Sequence, residues 1–259
     1  MGNQFTRAIV CPPGATFADG LTTVSLGTPI LEKAIEQHRA YCKALEAAGL
    51  EIIALTPDAE YPDSTFVEDT AVLTPSWAVI TRPGALSRAG EVARMTQVLS
   101  NYYQKHDVIE PPGTLDGGDI CEIEDRFLVG LSDRTNEEGA RQLDQFLLAH
   151  DRAANIVDIR AVEGILHLKS GVTYIGDNRL LVIRSLADKI EPQGRELVIV
   201  PEGEEYAANC IRVNDQLLMP AGFPKLRRIL NDLNYSTVEL ETSEFQKMDG
   251  GLSCLSLRF

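Results

Sequence analysis

Polar side chains recur at five separate points of the chain, each just ahead of two short β-prone segments, and they include carboxylates, a thiol and an imidazole. These points are Glu68 with Asp69, Asp116 with Asp119, His167, Asn209, and Asp249 close to Cys254. If the segments surround a common axis, residues at one phase of every repeat converge near its mouth. Carboxylates crowded into a small cleft are unfavourable unless a cation joins them. The pattern therefore predicts a receptor for a guanidinium or ammonium group.

A thiol and an imidazole are the two groups of this set that can react. Cys254 follows the flexible pair Gly250-Gly251, where a ligand can approach, whereas the other four cysteines fit inert apolar positions. His167 lies between two leucines but holds the repeat position that carboxylates occupy elsewhere. A buried packing role is the ordinary alternative for each residue. Their shared phase in the repeat makes both of them candidates for chemistry.

One order of elements positions these residues: a β-hairpin, then a helix, then a further strand. In the clearest unit, hairpin segments 70–73 and 77–81 precede the helix, and a strand over 107–110 follows it. That helix carries four apolar residues at helical spacing: Val92, Met95, Leu99 and Tyr102. Similar units are predicted with hairpins over 120–129, 172–183 and 210–219. In the unit at 172–183, Pro192 and Gly194 make the helix short or absent.

The two ends of the chain supply a fifth unit. A helix over 31–48 and a strand over 51–55 leave a hairpin with only one arm, residues 5–10, and the segment 252–257 can provide the other. The sequence therefore predicts an α/β fold of five ββαβ units, a propeller closed by pairing of the N- and C-terminal strands. Closure removes exposed sheet edges. The alternative is an open mixed α+β domain with irregular units.

Composition limits the class of protein and its partners. The chain has 259 residues, 44% of them apolar, and a net charge of −14. This length and apolar fraction are typical of a folded domain, and we expect one catalytic domain over residues 1–259. An acidic surface of this size argues against nucleic-acid and membrane partners and favours a cationic small molecule. Five cysteines with no CxxC pair, and no signal or membrane-spanning segment, predict a cytoplasmic protein. We expect a monomer or a homodimer.

No metal or other cofactor is expected. A histidine, several carboxylates and a cysteine could in principle hold zinc, but no two candidate ligands have the close spacing of known sites. The chain also lacks a phosphate-binding glycine loop and a GxSxG nucleophile elbow.

Eight stretches, in order along the chain, resemble the dimethylarginine dimethylaminohydrolases, members of the guanidine-modifying, pentein-type group. The stretches are 17–21 (FADGL), 62–69 (PDSTFVED), 81–84 (TRPG) with 87–88 (SR), 113–119 (GTLDGGD), 132–136 (SDRTN), 167–171 (HLKSG), Asn209, and 248–254 (MDGGLSC). The resemblance implies a five-unit α/β propeller. It also implies hydrolysis of asymmetric dimethylarginine or monomethylarginine to citrulline, with release of dimethylamine or methylamine through a covalent cysteine intermediate.

The resemblance also implies roles for individual residues. Cys254 would be the nucleophile, His167 the general acid and base, and Asp116, at a position that is Glu in some relatives, their polar partner. Arg88 and Arg134 match positions that hold the substrate carboxylate, and either Asp63 or Asp249 could take its α-amino group. The full implied substrate-binding set is Leu21, Asp63, Phe66, Glu68, Asp69, Arg88, Arg134, Met248 and Asp249.

Two kinds of alternative remain open at this point. An arginine deiminase-like enzyme that takes unmethylated arginine, or a related amidinotransferase, differs only in the room around the distal nitrogens. A non-catalytic binding protein for a cationic amino acid would need the same carboxylates, but it gives no reason for His167 and Cys254 to be together. Residues 14–28, rich in Gly and Thr, are the favoured lid loop.

Overall fold

Fifteen strands form five separate sheets of three strands each in the computed structural model, which describes residues 4–124 and 126–259. The strands are β1 (Arg7–Val10), β2 (Glu51–Ala54), β3 (Ala71–Leu73), β4 (Ala78–Ile80), β5 (His106–Val108), β6 (Ile120–Ile123), β7 (Arg126–Leu131), β8 (Ala153–Asp158), β9 (Val172–Gly176), β10 (Arg179–Val182), β11 (Glu196–Ile199), β12 (Ile211–Val213), β13 (Gln216–Pro220), β14 (Ser236–Leu240) and β15 (Leu257–Arg258).

Helices link the strands within each unit. They are α1 (Leu31–Ala47), α2 (Glu91–Leu99), α3 (Glu137–Ala149), α4 (Arg184–Ala187), α5 (Pro224–Asp232) and α6 (Ser243–Gln246). The unit that carries β9, β10 and β11 has only the four-residue α4 between its second and third strands. This short helix is what the interrupting proline and glycine of the sequence predict. Tyr102, expected on the apolar face of α2, lies beyond the end of that helix and is 39% exposed.

The same topology repeats in all five sheets. An antiparallel hairpin, such as β3 with β4, is followed by a helix that returns the chain to a third strand, here β5, parallel to the second. The five units therefore have the ββαβ order that the sequence predicts. Of the helices that the structure describes, none is long and apolar enough to cross a membrane.

The chain ends close the ring. Strand β1 pairs antiparallel with β15, with Ala8 opposite Arg258 and Ile9 opposite Leu257, and it pairs parallel with β2. The predicted terminal pairing is confirmed, but the second arm is shorter than expected. Residues Ser253–Leu255 form a 3₁₀ turn rather than part of the strand, because the Ser253 N–H is bonded to the Asn209 side chain instead of a neighbouring strand.

A 3₁₀ turn stands immediately before the first hairpin strand of every unit, a feature that the sequence did not predict. We call them the site turns, and they are turn 1 (Val67–Thr70), turn 2 (Gly117–Asp119), turn 3 (Leu168–Ser170), turn 4 (Glu205–Ala208) and turn 5 (Ser253–Leu255). The polar residues predicted at one phase of the repeat fall in these turns or beside them, except Asp249.

Apolar side chains fill the space between neighbouring units. One cluster joins Val72 and Val79 of the β3–β5 unit to Phe127 and Leu143 of the next unit, and the other clusters likewise cross unit boundaries. Burying these side chains requires both partners, which holds the ring together. This continuity is the basis on which we propose a single domain over residues 1–259.

We expect Leu257→Ala to lower the free energy of unfolding by about 2–5 kcal/mol. Leu257 is 5% exposed, pairs with Ile9 and packs in the cluster between the terminal sheet and the β3–β5 unit. The matched control is Leu86→Ala, at a leucine that is 84% exposed, which we expect to change stability by less than about 0.5 kcal/mol. Denaturant unfolding measures both, and equal stability of the two variants would contradict closure through the terminal strand.

Candidate active site

Hydrogen bonds join the site turns to one another. The backbone N–H of Gly118 in turn 2 donates to Asp69 Oδ1 of turn 1 over 2.9 Å. The backbone N–H of Leu168 in turn 3 donates to Asp119 Oδ1 of turn 2, also over 2.9 Å. In each case a buried carboxylate of one turn accepts from the backbone of the next, which satisfies both groups away from water.

The remaining links complete a closed ring. Asn209, the residue after turn 4, donates from Nδ2 to the Lys169 carbonyl of turn 3 over 3.1 Å. Its Oδ1 accepts from the Ser253 N–H of turn 5 over 2.9 Å. Ser253 Oγ then donates to Glu68 Oε2 of turn 1 over 2.7 Å. The five turns are therefore fixed relative to one another at one site, as the repeat predicts.

His167 and Asp116 stand at the N-cap positions of turns 3 and 2 and face each other. His167 Nε2 lies 3.0 Å from Asp116 Oδ2, and both side chains are buried. Burial alone would lower the pKa of His167, but the charge of Asp69, the bond to Asp116 and the nearby Asp119 outweigh it and raise the pKa to about 9. At neutral pH, His167 is therefore an imidazolium.

Asp69 is held by cations on two sides. Burial raises its pKa, but the charges of His167 and Arg88 dominate and hold the pKa of this carboxyl below its usual range. Arg88 is itself buried, donates to Asp69 and forms a second ion pair with Glu91 over 2.8 Å. Arg88 Nη2 also donates to the Phe66 carbonyl. The structure thus places Arg88 in a buried ion-pair network, and its predicted contact with a substrate carboxylate stays a prediction.

Glu68 also carries its own cations. Lys169 Nζ lies 2.6 Å from its Oε1, Arg258 Nη2 lies 3.8 Å from the same oxygen, and Ser253 binds the other. Lys169, Arg258 and Arg88 therefore compensate part of the acidic cluster within the protein, and the receptor for a guanidinium or ammonium group stays a prediction. Sequence reasoning missed Lys169 and Ser253, although each lies in a site turn and could have been found by its position in the repeat.

Asp119 supports the ring rather than facing a guest. It is fully buried and accepts from Ser132 Oγ over 2.6 Å and Thr135 Oγ1 over 2.7 Å, besides the Leu168 N–H. Burial raises its pKa to about 6 against the charge of His167 and these donors.

Cys254 lies in turn 5 and is 9% exposed. Burial raises the pKa of its thiol most, the charges of Glu68 and Asp69 raise it further, and the result is a pKa of about 12. His167 is influenced by the same Asp69. The two predicted reactive residues therefore share one carboxylate environment, with the thiol protonated at neutral pH.

Part of the predicted substrate-binding set gathers around the loop at 20–23. The Asp63 carboxylate accepts from the Leu21 N–H over 3.1 Å. Gly20 permits this approach, since a Cβ there would lie 2.6 Å from Asp63 Oδ1 and 3.2 Å from the terminal methyl of Met248. Burial is the largest effect on Asp63 and raises its pKa, while nearby arginines, including the half-buried Arg134, oppose the rise. Leu21 and Asp63 are thus in contact, Met248 lies beside Gly20, and Arg134 is close enough to act on Asp63.

Asp249 and Phe66 have other surroundings than expected. The Asp249 carboxylate accepts from the backbone N–H and, over 3.1 Å, the hydroxyl of Thr23. The Asp249 carboxylate thus joins the 20–23 loop to the segment before turn 5, and its predicted place in the acidic cluster stays a prediction. Phe66 is buried between Phe17 and Phe245, with ring centroids 6.1 and 6.4 Å away. It supports the wall of the site.

Within residues 4–124 and 126–259, one group of side chains could hold a metal ion. Asp69, Asp116 and His167 each offer one ligand atom, and these atoms lie within 4.8 Å of one another. However, Asp116 already binds the His167 ring and Asp69 pairs with Arg88. A divalent cation would have to displace an imidazolium proton, so the expectation of no metal stays our prediction.

Known proteins resemble this chain over its whole length. A model of the arginine deiminase family matches residues 62–217. The dimethylarginine dimethylaminohydrolase of Pseudomonas aeruginosa is 44% identical over 257 residues, which are 99% of this chain and 100% of that protein. The enzyme of that name from Streptomyces coelicolor is 37% identical over 254 residues, covering 97% of this chain and 96% of that protein.

Solved structures give the same result. The P. aeruginosa dimethylarginine dimethylaminohydrolase, as a cysteine-to-serine variant complexed with citrulline, matches with a TM-score of 0.95 and 43% identity over 99% of this chain and 100% of that one. The N-terminal domain of ArgZ, a cyanobacterial arginine dihydrolase, matches with a TM-score of 0.87 at 20% identity, over 99% of this chain and 97% of that one, and shows the fold alone.

The five-unit α/β propeller and the family match define a guanidine-modifying hydrolase. More narrowly, the chain belongs to the dimethylarginine dimethylaminohydrolase family. The predicted family and fold are confirmed, whereas the roles of individual residues remain to be tested.

We expect Asp116→Asn to lower the pKa of His167 from about 9 by at least about one unit, because the substitution removes a negative charge that stabilises the imidazolium. Titration of the histidine ring signals by NMR measures this change, with His167→Ala to assign the resonance. Asp107→Asn, at a half-buried residue of β5, is the charge-matched control and should leave that pKa unchanged. An unchanged pKa in Asp116→Asn would contradict the pairing.

Proposed function

We propose that this protein hydrolyses N-methylated arginine, as asymmetric dimethylarginine or monomethylarginine, to citrulline and dimethylamine or methylamine. The observation that carries the proposal is that the Asp69 carboxylate acts on both a buried imidazolium, His167, and a buried thiol, Cys254, within one hydrogen-bonded ring of site turns. Relatives named for this activity, and one solved with citrulline, support the choice of substrate.

The proposed binding mode follows the charges of the site. The substrate guanidinium lies between Cys254 and the carboxylates of Asp69 and Asp116, and Glu68 is the next carboxylate of the cluster. The amino-acid end lies toward the 20–23 loop, where Asp63 and the Leu21 backbone take the α-amino group. Arg134, which acts on Asp63 from nearby, takes the α-carboxylate with Arg88 as its partner.

Substrate binding activates the nucleophile in this proposal. In the free protein, burial and two carboxylates keep Cys254 protonated. A guanidinium placed against the sulfur adds a positive charge within a few ångströms, which favours the thiolate. The carboxylates raise the pKa of the thiol in the free protein, but they also orient the bound guanidinium. The positive charge of the guanidinium then has a larger effect on the thiol than the carboxylates have.

The reaction proceeds in two halves. The thiolate of Cys254 attacks the guanidinium carbon and forms a C–S bond, which gives a tetrahedral adduct. His167 transfers its proton to the methylated nitrogen, the C–N bond breaks and the amine leaves. The neutral imidazole then accepts a proton from water, whose oxygen attacks the same carbon. The C–S bond breaks, the remaining hydroxyl proton passes to the departing sulfur and restores the thiol, and citrulline is released.

Two further features are part of the proposal. The five cysteines are free thiols, which fits a reducing, cytoplasmic location. The net charge of −14 fits a small cationic substrate and gives no support to a nucleic-acid or membrane partner, and a monomer or homodimer would both suit it.

We expect the protein to form citrulline from asymmetric dimethylarginine and monomethylarginine, and to turn over arginine at least about tenfold less efficiently, a difference of about 1.4 kcal/mol in transition-state binding. Cys254→Ser should abolish turnover of all three, since a hydroxyl is a much weaker nucleophile. The matched control is Cys210→Ser, at a fully buried cysteine next to β12. Equal turnover of arginine would favour an arginine deiminase, and binding without turnover by the wild type would favour a binding protein.

We expect His167→Ala to lower kcat by about 10²–10⁴, because it removes the proton donor for the leaving amine. The dissociation constant should change little, since the carboxylates and the cation remain. Steady-state kinetics and calorimetric binding of the substrate to the Cys254→Ser, His167→Ala double variant separate the two effects. A hundredfold higher dissociation constant with kcat intact would contradict the role of His167 as general acid.

A further inference from the structure

The Asn209 side chain makes two links of the ring of site turns, one to turn 3 and one to turn 5. It is 4% exposed and stands at the C-terminal end of turn 4. Its Oδ1 accepts from the Ser253 N–H over 2.9 Å, and its Nδ2 donates over 3.1 Å to both the Lys169 carbonyl and Ser253 Oγ. Every polar atom of this amide is therefore bonded inside the protein.

These bonds join the two turns that carry the proposed reactive groups. Lys169 lies in turn 3, two residues after His167 at its N-cap, and Ser253 directly precedes Cys254 in turn 5. The other links of the ring run through carboxylates of turns 1 and 2. Between the His167 turn and the Cys254 turn, the direct connection shown by these hydrogen bonds is the Asn209 side chain.

A second path through Glu68 closes a small circuit. Lys169 Nζ binds Oε1 of Glu68 over 2.6 Å, and Ser253 Oγ binds Oε2 over 2.7 Å. The circuit therefore runs from Asn209 to Lys169, to Glu68, to Ser253 and back to Asn209. It is packed tightly, since a Cβ on Gly251 would lie 2.5 Å from Asn209 Cγ. A change in the orientation of this amide must move Lys169, Ser253 or both.

We propose that Asn209 is a positioning residue for the reaction, one that sets the relative placement of Cys254 and His167 without touching the substrate. This inference rests on the proposed function. The amide is suited to the task because it donates and accepts in one plane, whereas alanine would leave the Ser253 N–H and the Lys169 carbonyl without partners. An aspartate would keep the acceptor, lose both donors and add a negative charge beside Glu68.

The test compares Asn209→Ala with Asn214→Ala. Asn214, in the turn between β12 and β13, makes an equivalent set of bonds away from the site: Oδ1 accepts from Phe5 N–H, and Nδ2 donates to the Phe5 and Ala48 carbonyls. Each substitution removes one side-chain amide that joins separate segments of the chain, so each variant should have a lower Tm. A displacement of about 1 Å between reacting groups costs up to about 100-fold in rate.

We expect Asn209→Ala to lower kcat for dimethylarginine by about 10- to 100-fold with KM within about threefold. Asn214→Ala should keep kcat within about twofold at a temperature where both variants are folded. Ser253→Ala, which removes the shared hydroxyl but leaves the backbone bond to Asn209, should give an intermediate loss of kcat. It serves as the second variant if Asn209→Ala does not fold.

The outcomes separate this inference from the function on which it rests. If the wild type makes no citrulline from methylated arginines, the proposed function fails. The placement of Cys254 is then compared by the rate of its alkylation with iodoacetamide at one alkaline pH, which should change at least about threefold in Asn209→Ala and not in Asn214→Ala. If Asn209→Ala keeps wild-type kcat, or if both asparagine variants lose activity only in proportion to their unfolded fraction, Asn209 has a structural role alone.

Discussion

Buried carboxylates at one end of a small propeller must find compensating groups within the protein, and this constraint organises the whole site. Glu68, Asp69, Asp116 and Asp119 are all at most 3% exposed. Three of them accept from a neighbouring site turn, and the ring of turns is the physical form that their compensation takes. An uncompensated carboxylate in this setting would either take up a proton or destabilise the fold. The hairpins, the helices and the closure by β1 and β15 serve to bring the five turns together.

The same compensation sets the protonation states on which the chemistry depends. The carboxylates turn His167 into an imidazolium, which is the form that can protonate a departing amine. They also keep the Cys254 thiol protonated, which protects it until a cation arrives. Because Lys169, Arg258 and Arg88 already neutralise part of the cluster, the guest does not have to relieve a large repulsion. In the proposed mechanism, its charge acts on the sulfur rather than on the stability of the site.

The sequence predicts the periodic features of this molecule well and its pairings poorly. Alternating and helical spacing identify the hairpins, the helices and the short helix of the unit that carries β9, β10 and β11. The polar residues before each hairpin show the phase of the site. The sequence pattern did not identify these residues as 3₁₀ turns, which are held both by their own local bonds and by bonds to other turns. Lys169 and Ser253 went unnoticed because their partner, Glu68, is 101 and 185 residues away. The bond of the Asp249 carboxylate to Thr23 was also not predicted, because phase gives the face of a unit and not the direction of a side chain.

In the proposed mechanism, the positive charge of the bound guanidinium, rather than the resting site, creates the Cys254 thiolate. The most direct test is the pH dependence of thiolate formation at Cys254, followed by ultraviolet absorbance against the Cys254→Ser protein, with and without an unreactive guanidinium ligand. The account predicts a thiol that ionises far above neutral pH in the free protein, and at a clearly lower pH when the ligand is bound. A thiolate already present at neutral pH in the free protein, unaffected by the ligand, would contradict it.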